Sequence, residues 1–237
     1  MRSSLKLAGL VAATWLVAAT TAHADCPPST FLYGALDPAT PIVKLAARVD
    51  TVFSIHPCDR VHGRYDLPAG LVIASIDLAC FSESFFPPSG LETIMEDDFQ
   101  LVGLAPGTPA SFTAVLHLRG EAHNFDAPGG GGGFRLRGTL QEGASNVAAR
   151  NWNSASGPDQ FVNEPLPLAI TAVAGTPLHL RIAVRAEVLS GRGEMEGLLE
   201  FTGLPSGASL TSCRGYMSDA PVAARRTSWG RLKSVYR

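Results

Sequence analysis

The chain has 237 residues, of which 46% are hydrophobic and 17% charged, and its formal net charge is −2. That much apolar material in that length can bury a sizeable core, which excludes an intrinsically disordered chain. The charge balance excludes a general nucleic-acid binder, because phosphate contacts need a basic face.

The first 24 residues, MRSSLKLAGLVAATWLVAATTAHA, open on Arg2 and Lys6, run apolar from Leu7 to Ala19, and close on Ala22-His23-Ala24. A basic start, a short apolar run and small residues at a cleavage site read as a secretory signal peptide over 1–24. Asp25 stands just before Cys26 where a lipoprotein would need a small residue, so no lipid anchor is expected. No later stretch is long and apolar enough to span a bilayer as a helix. The expected address is therefore the periplasm, the cell surface or the medium. Without the leader, 17 basic residues face 21 acidic ones, a net of −4. Residues 218–237 carry five basic groups and one acidic, so the body at 25–217 is acidic and the tail basic. The tail ends TSWGRLKSVYR, with Trp229, Leu232, Val235 and Tyr236 near helical spacing, and reads as a frayed tail, a short docked helix or a sorting signal.

Cys26, Cys58, Cys80 and Cys213 are an even set in an exported chain, which points to disulfides. Three pairings are open to them. A local Cys58–Cys80 link with a Cys26–Cys213 clamp joining the two ends is the expected arrangement. No two cysteines have the close spacing of a zinc site.

Strand signals follow in chain order at 41–50, 51–56, 70–81, 98–103, 111–119, 134–140, 166–173, 178–189, 194–203 and 208–214. Turns rich in Pro and Gly separate them, among them Pro68–Gly70, Ala105-Pro106-Gly107, Gly175-Thr176-Pro177 and Pro205–Gly207. Many short strands with such punctuation predict an all-β chain, a single antiparallel β-sandwich of jelly-roll type. The stretch LHLRIAVRAEV gives the clearest face. Leu178, Leu180, Ile182, Val184, Ala186 and Val188 point one way, and His179, Arg181, Arg185 and Glu187 the other. Phe112, Ala114, Leu116 and Leu118 repeat the inward pattern, as do Phe134, Leu136 and Leu140. A turn at Ser190-Gly191 would pair this strand with 194–203 as a hairpin, with Arg185 opposite Glu196 and Arg181 opposite Glu200. The charged row then reads as a solvated face that fixes register.

Two runs carry a resemblance. In MEDDFQLVGLAPGTPASFTAVLHLRG (95–120), an acidic pair, Asp97 and Asp98, leads a strand, followed by Pro106-Gly107 and a strand closing at Gly120. From 173 to 216, Gly175 and Pro177 precede a long strand, and Leu204-Pro205-Ser206-Gly207 turns into the last one. This pattern resembles the secreted β-sandwich domain of unknown function in PEP-CTERM-type bacterial surface proteins. The resemblance spans residues 50–216 and implies a β-sandwich with no catalytic residues to carry over. The chain departs from that group in having neither the Val-Pro-Glu-Pro signal nor the C-terminal apolar helix.

Motifs for nucleophilic, phosphate-binding and zinc chemistry do not occur: there is no Gly-x-Ser-x-Gly, no Gly-Lys-Ser/Thr and no His-Glu-x-x-His. Glu96-Asp97-Asp98 is the densest acidic cluster, and Asp97 and Asp98 are the candidate calcium ligands. No cofactor is expected, and calcium is the alternative that the acidic cluster leaves open. His117 and His179 share a polar face and would form a small binding site if their strands paired. Trp152, in the polar stretch NVAARNWNSASGPDQF, is the candidate sugar-stacking residue. The expected function is a secreted or cell-surface non-catalytic module, structural or interacting, with a glycan or cell-envelope component as partner. A carbohydrate-binding module using Trp152 and calcium is the second reading. A jelly-roll hydrolase with two convergent carboxylates is the third.

Overall fold

The computed structural model describes residues 26–33, 40–53, 59–78, 89–124, 133–154, 159–189 and 191–216. Every regular element among them is a strand: β1 (Ser29–Tyr33), β2 (Thr40–Lys44), β3 (Arg48–Phe53), β4 (Asp59–Asp66), β5 (Leu71–Leu78), β6 (Ser89–Val102), β7 (Pro109–Asn124), β8 (Phe134–Glu142), β9 (Asn146–Ser154), β10 (Gln160–Val173), β11 (Pro177–Val188), β12 (Gly191–Thr202) and β13 (Ser209–Ser212). The expected leader at 1–24, Cys58, Cys80 and the tail 218–237 lie outside the described residues.

The strands form two antiparallel sheets packed face to face. One has the order β2-β1-β6-β11-β8-β9, with β13 also on β6, and the other the order β10-β7-β12-β5-β4-β3. Strands β5 to β12 trace a jelly roll. Each consecutive pair crosses from one sheet to the other, except the β8–β9 hairpin. Strands β3 and β4 extend one sheet beyond β5, and β1 and β2 extend the other beyond β6.

The inward faces are the predicted ones. Leu178, Leu180, Ile182, Val184, Ala186 and Val188 are all buried on β11, and Phe112, Ala114, Leu116 and Leu118 on β7. The expected β11–β12 hairpin does not form. β11 pairs with β6 and β8 in one sheet, and β12 with β5 and β7 in the other. Arg185 and Arg181 therefore do not face Glu196 and Glu200, which lie on the opposite side of the sandwich. The reason lies in the core. Gly193 and Gly197 sit under Val188 and Val184, where an added Cβ would be 3.0 and 3.1 Å from a valine methyl. The contacts a hairpin would make edge to edge are made face to face instead. The charged row still fixes register, with β6 as its partner: His179 lies opposite Asp98 and Arg181 opposite Glu96.

The stretch 41–50 is two strands, because the chain leaves one sheet at Lys44 and enters the other at Arg48. β1, β4 and β9 were not anticipated: β1 (STFLY) groups its apolar residues without alternation, and β4 and β9 are dominated by polar and small residues. In β4, Val61, Gly63 and Tyr65 are buried while Arg60, His62, Arg64 and Asp66 are not.

The close packing generates a test. A Cβ at Gly120 would lie 2.7 Å from the Glu194 carbonyl oxygen and 2.7 Å from Met195 Sδ. The backbone oxygen cannot step aside cheaply. Gly120→Ala is expected to cost about 1–3 kcal/mol, the usual range for overpacking, measured by urea unfolding.

Candidate functional site

The acidic run of β6 divides as alternation requires. Asp97 points into the sandwich and is 1% exposed, while Glu96 and Asp98 stand on the outer face. Asp97 and Asp98 thus do not converge on one cation.

Asp97 sits where the two ends of the described chain meet. β1 lines residues 91–94 of β6, and β13 lines residues 99–102 of the same edge. The gap between them is bridged by the Cys26–Cys213 disulfide, whose Cα atoms are 5.7 Å apart across a sequence separation of 187. This is the expected clamp. The Cys213 N–H donates to the Asp98 carbonyl at 2.9 Å. The Asp97 carboxylate accepts from the N–H of Asp98 (2.9 Å) and of Arg214 (3.2 Å). Arg214 reaches back to the Ser29 hydroxyl and the Cys26 carbonyl, both at 3.2 Å. Burial raises the Asp97 carboxyl above its ordinary range. Hydrogen bonds from Ser212 and from the two N–H groups, then the Arg214 charge, draw it down less. Beneath the junction Tyr216 packs edge-on against Phe99 and Phe201, at 5.5 and 5.6 Å, and seals this end of the core. The sulfur atoms of Cys26 and Cys213 lie near Asp97. They are bonded to each other, so no thiolate is available to hold a metal there.

On the outer face of the β6 sheet, Asp98 and His179 come together at 2.9 Å, and Glu96 and Arg181 at 3.0 Å. His179 also lines an open depression of about 420 Å³ with Glu142, Ser145, Asn146 and Pro177. Its polar groups engage one another, since Asn146 donates to Glu142 at 2.6 Å. Further along β11, Arg185 donates to Glu187 at 2.7 Å.

His117 lies on the other sheet, exposed, 2.9 Å from Glu200. The two candidate histidines are on opposite outer faces and do not form a joint site. Trp152 lies on strand β9 rather than in a loop. It is half-buried, packed against the core on the side of its partner Leu136.

The outer face of the six-stranded sheet holds a second ion-pair lattice. Asp159 is 2.7 Å from His123, Arg192 donates to Glu121 at 3.2 Å, and Asp50 is 2.7 Å from His62. Glu121 and Glu194 are direct cross-strand neighbours. Burial, then the Glu121 charge, pushes the Glu194 carboxyl up. His62, Arg192 and a hydrogen bond from Ser75 draw it down. At the edge of this row stands Phe161, exposed, which sequence reasoning did not single out.

No protein-family model matches the chain, and no curated protein matches it. Among the described residues no helix is long and apolar enough to cross a membrane.

Two measurements test the junction. Replacing Cys26 and Cys213 together by serine is expected to lower unfolding stability by about 2–5 kcal/mol, because the link closes nearly the whole described chain. The Asp97 proton is held more tightly in the fold than in the unfolded chain. Its contribution to stability is therefore full below the ordinary aspartate range and is lost as pH rises through that range to the raised value. Urea midpoints measured across this window are expected to fall with pH more steeply for the wild type than for Asp97→Asn. Glu194, also raised, is common to both proteins and cancels in the difference.

Proposed function

We propose that this chain is a secreted or cell-surface jelly-roll module with a non-catalytic, structural or interaction role. The observation that carries the reading is the state of its charged side chains. Arg181, Arg185, Arg192, His117, His123 and His179 each lie against a carboxylate of a neighbouring residue or strand. Acid–base machinery needs a group poised toward substrate. Here the outer charges hold register instead, each exposed pair contributing about 0.2–1 kcal/mol. The Cys26–Cys213 disulfide supports an oxidising compartment, as do the basic leader and its Ala22-His23-Ala24 site. The turn motifs shared with PEP-CTERM-type surface proteins fit the same role.

A glycan-binding reading stands beside it on one specific observation, the exposed aromatic ring of Phe161. The jelly-roll hydrolase is disfavoured because Glu121, one of the two adjacent carboxylates, is engaged by Arg192 and His123.

Cell fractionation and intact mass of the protein from its native host test the proposal. The expected result is export, loss of residues 1–24, and no cysteine open to alkylation before reduction. Cytoplasmic protein that keeps its leader and reacts with the alkylating agent would sink it.

A further inference from the structure

The ion-pair lattice on the six-stranded sheet ends at a residue it does not explain. Among the described side chains, the large apolar groups left in water are valines and leucines, with one exception: Phe161, 67% exposed. Phe161 stands on β10, the edge strand, directly opposite Glu121 on β7. Its ring meets the His123 imidazole edge-on at 5.7 Å, with the planes at 80°. His123 is fixed in turn by Asp159 at 2.7 Å and by Glu121 at 3.6 Å, and Arg192 braces Glu121 at 3.2 Å.

We infer that Phe161, with Glu121, His123, Asp159 and Arg192, forms a platform for a neutral polysaccharide. A pyranose ring offers a face of C–H groups and a rim of hydroxyls. An exposed aromatic ring takes the first, and fixed carboxylate, imidazole and guanidinium groups take the second. Holding these side chains in place before the ligand arrives lowers the ordering cost of binding. The charge selects a neutral chain. Glu121, Asp159, Glu194 and Glu196 outnumber Arg192 and Arg119 on this face, so an acidic polysaccharide would be repelled. A peptide added as an extra strand is the less suitable occupant. Among the described strands β10 pairs with β7 alone, but Pro165 and Pro167 deny it two backbone donors.

The inference rests on the interaction role proposed above and names its site. The mature protein, with its disulfides formed, is run by affinity electrophoresis through gels containing hydroxyethylcellulose, xylan, galactomannan or laminarin. The expected result is retardation in at least one gel. Phe161→Ala should weaken that binding about tenfold, the order of one aromatic stacking contact, with the melting temperature unchanged because the ring is exposed. Phe161→Tyr should keep it. No retardation in any gel, or equal retardation of Phe161→Ala, would overturn the site. The second of these leaves the interaction role standing. Release of reducing ends from the same polysaccharides would instead overturn the non-catalytic reading beneath it.

Discussion

A carboxylate in an apolar core is costly unless donors surround it. Asp97 is such a group, and beyond the N–H of the adjacent Asp98 its donors come from the far end of the chain: the N–H of Arg214 and the hydroxyl of Ser212. Arg214 in turn holds Ser29 and Cys26. The inward turn of this one acid on β6 is therefore tolerable only when both ends of the domain lie along that strand's free edge. The placement of β1 and β13, the disulfide and the aromatic seal at Tyr216 all converge on that junction.

The two outer faces obey a different logic. No pair in the lattice contributes much alone, since each side chain is partly solvated. Their collective value is selective. A slip of one residue between β6 and β11 would bring Asp97 to the surface and drive both Glu96 and Asp98 inward, while separating Arg181 and His179 from their acids. The lattice thus discriminates among registers more than it stabilises the correct one.

Much of the fold was legible because burial imposes a period of two. β7, β8 and β11 face inward with the residues their alternation assigns, and turns at Pro68–Gly70 and Pro205–Gly207 fall where the residues place them. Which strands pair was less legible. β6 and β12 each offer glutamates four residues apart, Glu92 and Glu96 or Glu196 and Glu200, to match Arg181 and Arg185 of β11, so charge alone did not separate them. What separates them is the room that Gly193 and Gly197 leave for valine methyls, a property of three-dimensional packing. The candidate site was read in part. Asp97 and Asp98 read together as calcium ligands, yet strand alternation sends these adjacent acids to opposite faces, and the meeting of Asp98 with His179 required the β6–β11 register. Phe161 was hidden because the run NEPLP that follows it resembles a loop, although Val162, Leu166 and Leu168 keep the inward alternation through it.

The bond between Cys26 and Cys213 makes the domain nearly a closed loop of covalent structure. Cutting the backbone once, in any surface connection between β2 and β12, would then open a ring rather than divide a thread. Both fragments would stay in one molecule, each still held in sheets that draw strands from either side of the cut. Wherever a protease meets this fold, that connectivity turns a first cleavage from destruction into a tolerated scar.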